Sequence, residues 1–135
     1  MLPNIPYINR IMKDLLLVCI GSFIGGGLRF GVSRLMTLFT ATALPLGTFV
    51  VNVVGCLLIG LLSGVSASGG WLSPSVRLLL TTGFCGGFTT FSTFMNESAT
   101  LATDGCALTS LVYMAASLLV GFAAVVVGHW LGRSW

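Results

Sequence analysis

The sequence predicts an all-α membrane protein of four transmembrane helices, the third of them broken near its middle. Three observations lead there. The 135-residue chain is 56% hydrophobic and 7% charged, with a mean hydropathy of +1.04, a balance suited to lipid rather than water as the surrounding solvent. Its apolar residues fall into four runs, 15–39, 46–67, 76–103 and 107–131, each long enough for the ~20 residues that cross a bilayer core as helix. The third run also packs glycine, threonine and phenylalanine into 81–94 at a density that a plain lipid-crossing helix has no use for.

The first run is rich in glycine. Gly21/Gly25 and Gly27/Gly31 are small-xxx-small pairs that let helix backbones approach closely, so both read as packing surfaces. Arg29 lies well inside the run, where a cation is costly unless paired, hydrated or able to reach the headgroups. Either it snorkels to the nearer interface, or it attracts anions at the mouth of a wet cavity. Residues 1–12 precede the run as an N-terminal arm, and Pro3, Pro6 and Tyr7 give it a surface character. Arg10 and Lys13 before an apolar run imitate a signal peptide, but no small-x-small site follows and Arg29 and Arg34 interrupt the run, so an uncleaved span is expected.

In the second run Thr48, Asn52 and Gly55 share a face by i, i+4, i+7 spacing. An amide in lipid needs partners: Asn52 either hydrogen-bonds a neighbouring helix or lines a pore. The third run would extend ~45 Å as continuous helix against a hydrocarbon core of ~30 Å, leaving length to spare for a break. Glycine is the weakest helix former after proline, so Gly83, Gly86 and Gly87 invite the backbone out of helical geometry. Backbone groups freed in this way are tolerated only where protein buries them or they line a polar cavity. Past the break Phe91 and Phe94 share one face, and Thr90, Thr93 and Glu97 another. Hydroxyls and rings beside a broken helix make a site for something small and polar. The fourth run is plainer: Tyr113 and Ser117 share a face and can hydrogen-bond across helices, and His129 and Trp130 mark an interfacial end. Breakers stand at the joints (Pro45, the 66–70 run, Pro74, Asp104-Gly105), which makes 1–135 one four-helix domain.

Several function classes drop out. With three acids, one interfacial His and no paired carboxylates there are no catalytic residues, and the chain does not read as an enzyme. Cys19, Cys56, Cys85 and Cys106 fall one per run without metal-ligand spacing, and are expected as small buried hydrophobes. A net charge of +3, dispersed as it is, implies no nucleic acid. The alternative of matching size, a proton-coupled exporter of the four-helix small multidrug type, wants an acid within its first helix; here Asp14 stands only at the edge. Hydroxyls, one amide and positive ring edges remain, and these can solvate an anion through a succession of individually weak sites. Arg10, Lys13, Arg77 and Arg133 fall on one side and Arg34 and Arg29 towards the other, which leans both termini to the cytoplasm.

The stretch Gly-Phe-Cys-Gly-Gly-Phe-Thr-Thr-Phe-Ser-Thr-Phe from Gly83 to Phe94, followed by Glu97, closely resembles the signature of the Fluc (CrcB-like) fluoride channels. Gly25-Gly26-x-x-Arg29-Phe30 and Gly47-Thr48-x-x-x-Asn52-x-x-Gly55 agree with it in order and spacing. The resemblance implies a passive, fluoride-selective channel of the bacterial inner membrane that relieves cytoplasmic fluoride toxicity. It further implies an antiparallel, dual-topology homodimer with two pores. On that reading the pore Asn falls on Asn52, the fluoride-facing rings on Phe91 and Phe94, and the polar track on Ser92 and Thr93, with Thr48 and Tyr113 also on the pore. Arg29 and Glu97 match charged positions at the vestibule. A structural sodium ion on the two-fold axis would be held by backbone carbonyls of Gly86 and Thr89 from both subunits. Phe88 stands where many relatives carry Leu, and the charge lean departs from the near balance that dual insertion wants.

Overall fold

The computed structural model describes residues 5–39, 44–69 and 72–134, which form helices and short turns with no strand among them. In chain order they are α1 (Ile5–Phe39), α2 (Leu46–Ala67), α3 (Pro74–Leu78), a π-helical stretch (Leu79–Cys85), α4 (Gly86–Phe88), α5 (Phe91–Thr103) and α6 (Ala107–Arg133). Helices α1, α2 and α6 are each long and apolar enough to cross a membrane. The third apolar run is divided among the elements between them.

Residues 5–12, expected as an arm, continue α1 outward as helix instead. Pro6 lies in the first turn, where its missing N–H has no intrahelical partner to lose. Residues 1–4, Pro3 among them, and Gly70 of the 66–70 joint lie outside the described residues. At 1.5 Å per residue α1 is ~52 Å long, more than the hydrocarbon core, so its polar first turns stand beyond the apolar stretch.

The closest pairing is α2 with α6. A Cβ at Gly128 would run into the Leu57 carbonyl, and one at Gly60 into that of Val125. Lipid gives helices no hydrophobic reason to associate, so this backbone-to-backbone approach supplies the dispersion contact that holds them. Helix α1 packs in the same manner on the first half of the third run, with Gly21 and Gly25 against the Leu79 and Phe84 backbone. Gly27 and Gly31 meet nothing within 4 Å among the described residues, so only the first of the two expected packing pairs is used within the chain. The outer surface is apolar, with Phe23 84% and Leu38 80% exposed. Cys85 is buried as expected and Cys56 partly so, but Cys19 and Cys106 are exposed, because no described residue covers them.

The third run is broken, though not at its glycines. Gly83, Gly86 and Gly87 stay helical, the first within the wider π-helical turn. A Cβ at Gly83 would lie 3.0 Å from the Gly21 Cα, and one at Gly87 2.6 Å from the Ser22 carbonyl oxygen. These glycines flatten a helix face for α1 rather than release the backbone. The chain becomes extended at Thr89 (φ −88°, ψ 162°) and Thr90 (φ −150°, ψ 119°), β-branched residues for which extended backbone is comfortable. The Thr90 hydroxyl then caps α5 by accepting from the Thr93 N–H at 3.3 Å.

Candidate functional site

Asn52, two turns into α2, faces the break. Its Nδ2 donates to the Thr90 carbonyl at 3.0 Å, and its Oδ1 accepts from the Thr90 N–H at 2.8 Å. The N–H can be met only by an oxygen, so the amide has one possible orientation. In an unbroken helix the Thr90 N–H would donate to the Gly86 carbonyl; here Asn52 replaces that acceptor and releases the Gly86 oxygen from its helical partner. Gly55, on the same face of α2, leaves room for the Thr89 methyl group. The Thr89 hydroxyl donates back to the Cys85 carbonyl at 2.9 Å, and the Thr89 N–H to the same oxygen at 3.0 Å. From α1, half-buried Arg29 donates through Nη1 to the Thr89 carbonyl at 3.4 Å. Side chains from α1 and α2 thus take over the Thr89 carbonyl and the Thr90 N–H, and the Gly86 carbonyl is left beside a cleft, where a released backbone group is tolerated.

A second cluster surrounds Glu97 on α5. Thr48 donates to Oε1 at 2.7 Å, and the Tyr113 hydroxyl to Oε2 at 3.2 Å. Both alcohol protons are therefore committed to the carboxylate. Phe94, 5% exposed, stands between the clusters, its ring centroid 5.2 Å from that of Tyr113 and 6.1 Å from that of Phe91. Ser110 fastens α6 to α5 by donating to the Ser98 carbonyl at 2.7 Å.

Beside the break opens a cleft of about 650 Å³, lined by Asn52, Gly86, Thr89, Thr90, Phe91, Phe94 and Ser117 among others. No charged side chain is in its lining. Asn52 has a second Nδ2 hydrogen beyond the one given to Thr90. The buried Ser117 hydroxyl finds no partner among the described residues. The cleft therefore offers an amide N–H and two phenyl rings, with the unpartnered Ser117 hydroxyl buried in its wall, which is uncharged, donor-bearing chemistry suited to a small anion.

The expected site residues divide accordingly. Asn52, Phe91, Phe94, Gly86 and Thr89 meet at the cleft, with Phe91 72% exposed on its rim. Thr48, Tyr113 and Glu97 form their own hydrogen-bonded cluster, and Arg29 turns to the break; none of the four lines the cleft. Ser92 and Thr93 are exposed on the first turn of α5, off the lining, with Thr93 accepting from the Thr90 hydroxyl at 2.9 Å. The face formed by Thr48, Asn52 and Gly55 is not open but seated on the third run. Ser117 was legible only as a face-mate of Tyr113. Their i, i+4 spacing places both on one side of α6 but cannot say that Tyr113 finds Glu97 while Ser117 is left facing the cleft. No cluster of His, Cys, Asp or Glu that could hold a metal occurs among the described residues.

The profile of the family described as "CrcB-like protein, Camphor Resistance (CrcB)" matches residues 16–129. A protein of Chlorobaculum tepidum named "Fluoride-specific ion channel FluC" is 48% identical over 125 residues, covering 93% of this chain and 98% of the relative. Proteins of the same name from Chlorobium phaeobacteroides and Chloroflexus aurantiacus are 46% and 44% identical over 120 and 122 residues, covering 89% and 90% of this chain and 92% and 97% of theirs. On the extent of these matches, the chain belongs to the CrcB-like family.

Proposed function

We propose that the chain is a passive, fluoride-selective channel, not an enzyme, that lets fluoride leave the cytoplasm and so limits its toxicity. The observation that carries the reading is the Asn52–Thr90 pair, which holds the third run open beside an uncharged, donor-bearing cleft. The names of the 40–48% identical relatives support it. Conduction needs sites strong enough to replace water yet weak enough to release the ion. The second N–H of Asn52, the Ser117 hydroxyl and the rings of Phe91 and Phe94 satisfy both demands better than a cation would, because no full charge traps the anion. Ser92 and Thr93 continue the polar path along α5. Arg29 raises the potential near the break, while Glu97 fixes Thr48 and Tyr113 and so holds Phe94 in place.

The chain is a multi-pass membrane protein, and four crossings follow if 74–103 counts as one interrupted span. Two copies, oppositely oriented in the bacterial cytoplasmic membrane, would close the cleft where exposed Phe91 forms its rim. The residues at the break also fit a structural sodium ion. Gly86 presents a carbonyl freed from its helical partner, Thr89 a carbonyl on extended backbone, and carbonyl oxygens suit a hard monovalent cation. Each copy would supply half the ligands, with Arg29 leaving one lone pair of the Thr89 oxygen for the ion. Bound there, the ion would supply positive charge and cross-link the copies.

The test is flux from liposomes holding the purified protein, with no pH gradient. Rapid fluoride efflux once charge is compensated, with chloride retained, is expected. Comparable chloride flux would remove the selectivity, and fluoride movement only under a pH gradient would favour a proton-coupled exporter.

A further inference from the structure

Where α1 and α3 begin, Arg10, Lys13 and Arg77 converge on a hollow of about 340 Å³ that shares Thr81 and Thr82 with the far end of the cleft. Half of the six basic residues of the chain gather there. Asp14, half-buried, is the carboxylate in the same lining, so positive charge is in excess by two. None of the three cationic side chains forms an ion pair or hydrogen bond among the described residues. Three cations beside a single carboxylate repel one another on balance, more strongly as the surroundings lose water. The arrangement is incomplete without an anion.

The position of the hollow narrows the anion. Asp14 is directly followed by the apolar stretch of α1, and Pro74 opens the third run, so the three cations lie at the boundary between polar and apolar surface. On the same two helices, Ile11 (47%), Leu15 (52%), Leu16 (59%) and Val76 (39%) are exposed. A free inorganic anion would use only the charged half of this surface. A molecule with phosphate at one end and hydrocarbon at the other would use both.

We propose that this hollow binds an anionic glycerophospholipid, its phosphate among Arg10, Lys13 and Arg77 and its acyl chains along the exposed face of α1. The two guanidinium groups can each meet phosphate oxygens through paired N–H donors, and Lys13 adds a compact charge. Basic hollows between membrane helices favour anionic headgroups for this reason. A zwitterionic headgroup brings the same phosphate with an ammonium that cancels its charge, so the site discriminates by net charge. The inference needs only that α1 crosses the bilayer and stands apart from the channel reading.

Native mass spectrometry of the purified chain in neutral detergent, titrated with phosphatidylglycerol or phosphatidylcholine, tests it. Phosphatidylglycerol should be retained preferentially, with each of Arg10→Gln, Lys13→Gln and Arg77→Gln weakening retention about fivefold. Arg133→Gln, outside the hollow, should leave the preference intact. The three residues are exposed, so the single variants should fold, and an unchanged melting temperature in detergent checks that. Equal retention of the two lipids by the parent chain would overturn the proposal. So would a triple variant that keeps the preference. Displacement of phosphatidylglycerol by millimolar inorganic phosphate, with the same dependence on the three cations, would assign the hollow to a free anion instead.

Discussion

Between α2 and α6 the backbones touch, and glycine makes the contact; at Thr89–Thr90 the helical ladder is interrupted, and side chains meet the Thr89 carbonyl and the Thr90 N–H. Both regions lie in the part of the molecule meant for lipid, and both have to satisfy every peptide group there. The helix pair does so internally, residue by residue, and needs from its neighbour only a flat surface. The break meets the Thr90 N–H and the Thr89 carbonyl through Asn52 and Arg29, each carried by a different helix, and leaves the Gly86 carbonyl at the cleft. One region tolerates any small residue that keeps the surface flat. The other depends on particular atoms, and an opening beside it is the consequence.

The largest effect should come from the flat surface. Gly128→Leu would drive a side chain into the Leu57 carbonyl, which belongs to a backbone unable to yield. Overpacking in a tight core costs about 1–3 kcal/mol and more where backbone must move. The variant should fail to accumulate as a monodisperse species on size-exclusion chromatography. A well-behaved protein at parental yield would mean that the α2–α6 contact is loose.

Next comes the splint. Asn52→Leu keeps the volume but strands the Thr90 N–H, which costs about 1–3 kcal/mol, while the Thr90 carbonyl loses the amide and keeps its place as the first acceptor of α5. Access from the cleft relieves part of that and the lost bond to the carbonyl adds to it, so a loss of about 1–3 kcal/mol is expected, read as a lowered melting temperature together with lost fluoride flux. Asn52→Asp separates the two consequences. A charged carboxylate would face the Thr90 carbonyl, so the side chain is held as the neutral acid, which accepts from the Thr90 N–H and donates to the Thr90 carbonyl and so recovers much of the stability. Its single O–H is spent there, no donor is left for an anion, and flux should stay absent. Full flux in the Asp variant would show that Asn52 serves the backbone alone.

How much of this was legible in the sequence follows the same division. The bounds of the second run, 46–67, match α2 to the residue, because hydropathy is all that such a helix requires. That the third run breaks was also legible, from length and composition. Where it breaks was not. Glycine is permissive of both bends and close contacts, and nothing in 81–94 says that Gly21 and Ser22 stand opposite Gly83 and Gly87 and use them for contact. Asn52 was visible as an amide needing partners; that both partners would belong to one residue, thirty-eight positions on, is tertiary information. Arg29 shows the same limit. Its unease in lipid could be read from position, but its solution, the Thr89 carbonyl, exists only once the break does.

A smaller effect belongs to the cluster that joins the two kinds of region. Glu97→Gln keeps shape and removes charge, so the bonds from Thr48 and Tyr113 fall from charge-assisted to neutral. Across the pair that amounts to about 1–2 kcal/mol. The amide nitrogen also cannot accept, so one hydroxyl must reverse or go unpaired. Thr48→Val in the Gln background should then be less damaging than in the parent, with a coupling of about 0.5 kcal/mol or more in a double-mutant cycle. Additive losses would mean that Thr48 and Glu97 do not depend on each other.

The smallest effect is the most informative about the second copy. Gly86 and Gly87 are adjacent, but a Cβ at Gly87 strikes Ser22 whereas one at Gly86 meets, among the described residues, only the Thr81 carbonyl oxygen, at 4.0 Å. Gly86 has ordinary helical angles, φ −62° and ψ −38°. Judged from one chain, Gly86→Ala should stabilise slightly, by up to ~1 kcal/mol from helix propensity. If two copies meet at the break and share an ion through the Gly86 carbonyls, the added methyl stands at that junction and the sign reverses. Dimer dissociation measured by dilution, with sodium and with a large organic cation in its place, distinguishes the cases. Weaker association of the Ala variant, together with a lost response to sodium, places the junction at Gly86; unchanged association in both salts puts the contact between copies elsewhere.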